Sequence, residues 1–265
     1  MSDRDAMVLQ VEDVHAGYGD HVVLDGVSLA VERGEIVVVL GGSGSGKSTL
    51  LRCIVGLLPP SSGRVLIGGR DVNAAADSER EEILRDVGMA FQSAALLNSM
   101  TVADNVALPI VEHWGTDLPT ALMLARMRLA RVGLGQAGDK MPSELSGGMR
   151  KRAGLARAMA LDPTLLLCDE PSAGLDPITG RELDELILDL KREGDMAIVV
   201  VTHELGSINT IADRAIMLAD GRVLASGTLA EVREHQDPRV QAFFRRETLA
   251  EKKGEALLEQ LEQPA

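Results

Sequence analysis

At 265 residues the chain can form one large α/β domain or two modest ones, and either has enough volume for a self-sufficient core. Lysine and arginine total 27 against 40 aspartates and glutamates, so the net charge of -13 disfavours a broad nucleic-acid-binding surface and leaves any anionic ligand to a local site. The start, MSDRDAMVLQ, lacks a basic region followed by an apolar one, and no window offers a long unbroken apolar run, so neither a signal peptide nor a membrane span is expected and any membrane contact falls to another chain.

Residues 8 to 40 run in short β-rich pieces (VLQVEDV, VVLDGVSLAV, EIVVVL) that read as antiparallel strands leading into one buried strand, Ile36 to Leu40. From Lys47 to Leu58 the pattern turns helical, with a stop expected at Pro59-Pro60. Between about residues 94 and 160 continuous β patterns vanish. Leu122, Ala125, Leu129 and Val132 recur there on one helical face, which marks a candidate helical subdomain over about 94–157, inserted in a core of about 1–93 and 158–246. Apolar strands return at Leu165 to Cys168 and Ala197 to Val201, as buried parallel strands do, and Asp220-Gly221 between two apolar runs reads as a hairpin. Cys53 and Cys168 sit in apolar stretches with no metal-ligand spacing and read as buried hydrophobes in a reducing compartment. An acidic tail, 247–265, carries glutamates at helical spacing and reads as a solvated helix.

The chemistry concentrates in a few stretches. GGSGSGKST comprises Gly41, Gly42, Ser43, Gly44, Ser45, Gly46, Lys47, Ser48 and Thr49, and matches G-x-x-x-x-G-K-[ST] between a buried strand and a helix. Backbone N–H groups freed by the glycines surround phosphates, the helix N-terminus adds about half a positive charge, Lys47 reaches the outer phosphates, and Ser48 offers a hydroxyl to Mg²⁺. LLLCDE ends an apolar strand in two carboxylates. Strand alternation sends Asp169 and Glu170 different ways, one to a metal or its water and the other to an attacking water. His203 follows the strand AIVVV, where an ordinary turn histidine fits as well as a γ-phosphate contact; Gln92 follows Met89-Ala90-Phe91, where a surface amide fits as well as a metal or water contact. Tyr18, the single tyrosine, lies between two glycines, placed either to stack on a base or to serve as a plain turn aromatic. ELSGGMRKRAGLARAMA adds a second anion-binding turn, Ser146, Gly147 and Gly148, at the start of a helix.

The order of Tyr18, the loop at 41 to 49, Gln92, LSGGM, LLLCDE, AGLD at 173 to 176 and His203 resembles the nucleotide-binding domain of ABC ATPases over roughly residues 8 to 246. The resemblance implies an α/β P-loop NTPase core of RecA-like type, an antiparallel β subdomain and an inserted α-helical subdomain, with ATP and Mg²⁺ as ligands. By the same likeness, Tyr18 stacks on adenine, Lys47 and Ser48 bind phosphate and metal, Gln92 senses the metal and couples to the membrane partner, Asp169 supports Mg²⁺, Glu170 is the general base and His203 contacts the γ-phosphate. Asp176 belongs at the contact between two copies, and Ser146, Gly147 and Gly148 face the γ-phosphate held by the other copy.

LSGGM followed by Lys151-Arg152, together with FQSAALLNSMTVADNVALPI and DPRVQAFF, is similar to the branch serving MCE-type lipid transporters, the Mla system of bacterial envelopes. That branch implies a peripheral place on the cytoplasmic face of the inner membrane. Its partners are an integral permease, a periplasmic MCE protein reached through it, and in many cases a small STAS-like subunit. An amino-acid, metal or lipoprotein cargo is the alternative, and a soluble non-transport ABC ATPase is a further one. Met149 departs from the polar residue common at the end of the signature, because a thioether cannot replace an amide's hydrogen bonds.

Overall fold

The computed structural model describes residues 7–245, so the acidic tail expectation lies outside the described residues. The chain opens with two long antiparallel strands, β1 (Met7–Tyr18) and β2 (His21–Glu32), before the short strand β3 (Ile36–Leu40). Helix α1 (Lys47–Ile54) follows, then β4 (Ser62–Ile67), β5 (Arg70–Asp71), α2 (Asp77–Arg85) and β6 (Val87–Ala90). The middle is helical: α3 (Val102–Trp114), α4 (Leu118–Arg131) and α5 (Gly147–Ala158). The remainder alternates as β7 (Leu165–Asp169), α6 (Pro177–Glu193), β8 (Ala197–Val201), α7 (Leu205–Ile211), the hairpin β9 (Arg214–Ala219) and β10 (Arg222–Gly227), and α8 (Leu229–Glu234). Residues 238–245 form a last described helix, α9.

The strands make two sheets. One is antiparallel with order β2-β1-β4-β5; the other has order β10-β9-β3-β8-β7-β6, with β9, β3, β8, β7 and β6 parallel and β10 antiparallel at its edge. The parallel strands read as unbroken apolar runs because both faces are covered, and their alternation sorts residues into two cores. Val37, Val39, Leu165, Leu167, Val199 and Val201 pack toward the antiparallel sheet and α1. Val38, Leu40, Leu166, Cys168, Ile198 and Val200 pack toward the helices of the middle and end of the chain. Both cysteines are fully buried, and burial pushes the thiols up, Cys53 to about 11 and Cys168 to about 12, so each is an inert hydrophobe.

Of the expected helical face, Ala125 and Leu129 on α4 are buried and the adjoining Val132 caps the helix inside the same core, whereas Leu122 is only partly buried and the neighbouring Ala121 takes the fully buried place. The first helix differs from expectation. It ends at Ile54 rather than Leu58, because Gly56 takes a left-handed φ of 68° and the Leu57 N–H donates to the Arg52 carbonyl at 2.9 Å. That glycine turn satisfies the last carbonyls and stops the helix before the prolines are reached.

A phosphate cleft built at the strand ends

The carboxyl ends of β3, β7, β8 and β9 lie side by side, with Val39 and Asp169 both in register with Val201, and Leu40 with Met217. Loops leaving that edge converge on a cleft of about 660 Å³. A ligand at the carboxyl edge of a parallel sheet sits where helix N-termini and loop amides point, which suits an anion.

The glycine loop makes one wall. Gly46 caps α1 with φ of 106°, a conformation that L side chains rarely adopt, and a Cβ there would lie 2.7 Å from Leu24 Cδ2. Gly41, Gly42, Ser43, Gly44, Lys47 and Ser48 line the cleft. Ser45 and Thr49 are instead buried beneath the loop, and Ser45 Oγ has no hydrogen-bond partner. Lys47 Nζ donates to the carbonyls of Gly41 at 2.8 Å and Gly42 at 2.9 Å. Burial pulls the Lys47 ammonium below its usual value, opposed by the charges of Glu170 and Asp169. A half-buried ammonium held over a glycine loop, with no arginine in its place, is a compact point charge for phosphate.

The opposite wall carries the acids. Asp169 ends β7, and Glu170 leaves strand geometry with φ of 47°, so the expected alternation does not hold: both carboxylates line the same cleft. The Glu170 N–H still donates to the Val201 carbonyl at 2.8 Å, which ties the left-handed residue to the sheet edge. Burial raises the Asp169 carboxyl, with the Glu170 charge adding and Lys47 opposing. Glu170 Oε1 lies 2.8 Å from His203 Nδ1, while Oε2 is buried without a partner. A carboxylate with one oxygen fixed by an imidazole and the other unsatisfied is arranged to accept a proton from a bound water.

Gln92, two residues past the end of β6, also reaches the cleft. Ser48, Gln92 and Asp169 line the same cleft, and their side chains offer oxygen donors of the kind a hard divalent cation such as Mg²⁺ takes, usually keeping several waters.

Not every expected residue meets there. Tyr18, 45% exposed, does not line the cleft; its hydroxyl accepts from Arg52 at 2.7 Å and its ring lies 6.0 Å from that guanidinium. The second glycine turn also stands elsewhere. Ser146 caps α5 through the Met149 N–H at 3.2 Å, and none of Ser146, Gly147 and Gly148 lines the cleft. Met149 packs against the helical core, so the thioether at this position serves as an apolar contact.

Three features in or beside the cleft carry no site role in the sequence analysis. Lys151 Nζ donates to the Glu170 backbone carbonyl at 3.0 Å, joining α5 to the acid turn. Arg239, Ala242 and Phe243 on α9 form a further wall, and Asp220 in the β9–β10 turn holds Arg239 at 3.1 Å. Only the pairing DPRV, with Asp237 accepting from Arg239 at 2.8 Å, hinted at an ordered turn there.

The family profile described as "ABC transporter" matches residues 24–173. The chain is 42% identical over 246 residues to the intermembrane phospholipid transport system ATP-binding protein MlaF of Escherichia coli (strain K12), covering 92% of this chain and 91% of that one. It is 43% identical over 232 residues to the methionine import ATP-binding protein MetN of Caulobacter vibrioides, covering 86% of this chain and 69% of that one. Among solved structures it resembles the dimeric post-hydrolysis state of the ATP-binding cassette MJ0796 bound to ADP and Pi, at 32% identity and a TM-score of 0.76 over 83% of this chain and 98% of that chain. The fold is thus that of the α/β P-loop NTPases. The chain belongs to the ABC transporter family, as an ATP-binding and ATP-hydrolysing subunit.

Proposed function

We propose that this ATPase energises a bacterial phospholipid transporter of the MCE/Mla type, working as two copies that sandwich ATP head to tail. The observation that carries the two-copy site is the separation of the two anion turns: the loop at 41 to 49 lines the cleft, whereas the Ser146 turn opens α5 outside it. A helix N-terminus with two glycines is built for an anion. A second chain, related by a two-fold axis, supplies that turn to the γ-phosphate and gains its own from the first.

In this reading Lys47 and the loop amides hold the phosphates, and Tyr18 stacks on the adenine at the open edge. Ser48, Gln92 and Asp169 would hold Mg²⁺, which when bound neutralises phosphate charge. Glu170 takes the proton of the attacking water on Oε2; His203, bonded to Oε1, fixes the carboxylate and reaches the γ-phosphate. Loss of the γ-phosphate removes what the two glycine turns share, and the pair opens. The helical stretch of about 94–157 acts as the inserted subdomain, and Gln92 at its entry couples the cleft to the permease.

The lipid cargo is supported by the lengthwise match. Identity to MlaF and MetN is nearly equal, but this chain spans 91% of MlaF and 69% of MetN. Among the described residues no helix is long and apolar enough to cross a membrane. In this reading, which rests on the likeness to MlaF, the chain sits peripherally on the cytoplasmic face of the inner membrane against an integral permease and a STAS-like subunit, with an MCE protein on the periplasmic side. Affinity purification of the full chain from native membranes tests the cargo: co-recovery of an MCE protein with the permease is expected, and recovery of an amino-acid permease instead overturns it.

A further inference from the structure

Behind the cleft lies a buried polar cluster that the hydrolytic chemistry does not use. Asp184 on α6, Ser207 on α7 and Ser172 just past Glu170 are 2%, 4% and 2% exposed. Ser172 Oγ lies 3.2 Å from Ser207 Oγ, and the Ser207 hydroxyl is near enough to the Asp184 carboxyl to lower it. Asp184 Oδ1 is buried with no partner. The surroundings are apolar, with Leu183, Ile187, Leu205, Ile208 and Ile211 in one core cluster. A carboxyl in such a seam costs stability that a leucine would not, so its presence calls for a role beyond packing.

The three groups sit at telling points of the chain. Ser172 follows Glu170 by two residues, and Ser207 follows His203 by four, on the helix that begins at Leu205. Glu170 and His203 already touch in the cleft at 2.8 Å. The cluster therefore ties together, from behind, the two segments whose front ends form the hydrolytic pair. We propose that Asp184, Ser207 and Ser172 are positioning residues that fix Glu170 against His203 by clamping the segments that carry them. The inference rests on the hydrolytic reading of that pair.

The cluster has a direction. Either hydroxyl of the Ser172–Ser207 pair can donate; an ionised Asp184 draws the Ser207 proton toward itself and leaves Ser207 to accept from Ser172, whereas a protonated Asp184 no longer imposes that order. Burial pushes the Asp184 carboxyl up to about 6, with the Ser207 hydrogen bond opposing and the Glu204 charge adding. Glu204 at the head of α7 is the acid that faces it; on α5, Lys151 interacts with Glu204 and Glu170, and on α6 itself Glu182 is paired with Arg152 at 3.0 Å. The clamp is thus poised to change polarity just below neutral pH.

The test is ATP turnover by the full chain in its native membrane complex, measured against ATP concentration across roughly pH 5 to 8. Asp184→Leu is expected to raise the melting temperature yet lower kcat about tenfold or more, with KM for ATP within about twofold, since small misplacements of catalytic groups cost rate rather than binding. Asp184→Asn is expected to lose the inflection of kcat near pH 6, and Ser172→Ala, which removes a single hydroxyl, to lower kcat about threefold or more. Parental kcat in Asp184→Leu and Ser172→Ala, with the inflection kept in Asp184→Asn, overturns the clamp. Glu170→Gln separates the two ideas: near-zero turnover there leaves the hydrolytic reading standing whatever the clamp variants do, whereas parental turnover removes the pair to be positioned and overturns both.

Discussion

Glu170 is the residue on which the chemistry turns. Its backbone is left-handed, its N–H is held by Val201, its carbonyl by Lys151 and one carboxylate oxygen by His203. Exchange for glutamine keeps the shape and removes the base. Glu170→Gln is expected to retain ATP and lose turnover by about a hundredfold to ten-thousandfold, read by phosphate release beside nucleotide binding. Asp184 makes a second residue-scale prediction, on stability. Its folded value of about 6 stands above its ordinary one, so the folded chain binds the proton more tightly than the unfolded chain does. That contribution is fully present below about pH 4 and is lost as pH rises through about 6. Denaturant titrations should therefore show Asp184→Leu gaining more over the parent at pH 7 than at pH 5, by about 1.3 kcal/mol. An equal gain at both values would mean that the carboxyl titrates normally.

At the scale of elements, the segment between β6 and α3 must be held still if Gln92 is to work. Asn105, fully buried on α3, does this: its amide donates to the carbonyls of Leu97 and Thr101 and its oxygen accepts from the Leu97 N–H at 2.7 Å. Asn105→Leu strands those backbone groups and is expected to cost about 2–4 kcal/mol by chemical denaturation, more than its size suggests. Next to it, Thr101 and Asp104 form a capping box, and Thr101→Ala should cost about 1 kcal/mol.

The elements also show what was legible beforehand. Strands β3, β7 and β8 announced themselves because burial on both faces leaves only apolar residues, and the phosphate loop because glycine spacing is a local requirement. The length of α1 was not legible from its prolines, since Gly56 acts first. Nor was the shared face of Asp169 and Glu170, because a left-handed residue after a strand leaves no sequence mark when it is not glycine. Arg239 and Phe243 join the cleft from nearly 200 residues beyond the phosphate loop, and only tertiary packing brings them there.

For the whole molecule, the two anion turns and the net charge of -13 pull in opposite senses. Two such chains repel at low ionic strength, so association should depend on ATP and strengthen as salt screens the repulsion toward about 0.15 M. The most direct measurement is the solution mass of the full-length Glu170→Gln chain at that salt, taken with Mg²⁺ and ATP, with ADP, and with ATP after adding Ser146→Arg. A site shared between two chains gives a doubled mass with ATP alone, and the single mass with ADP or with the arginine that blocks the second turn. An ATP-loaded chain of single mass under all three conditions, or a dimer indifferent to Ser146→Arg, would contradict it.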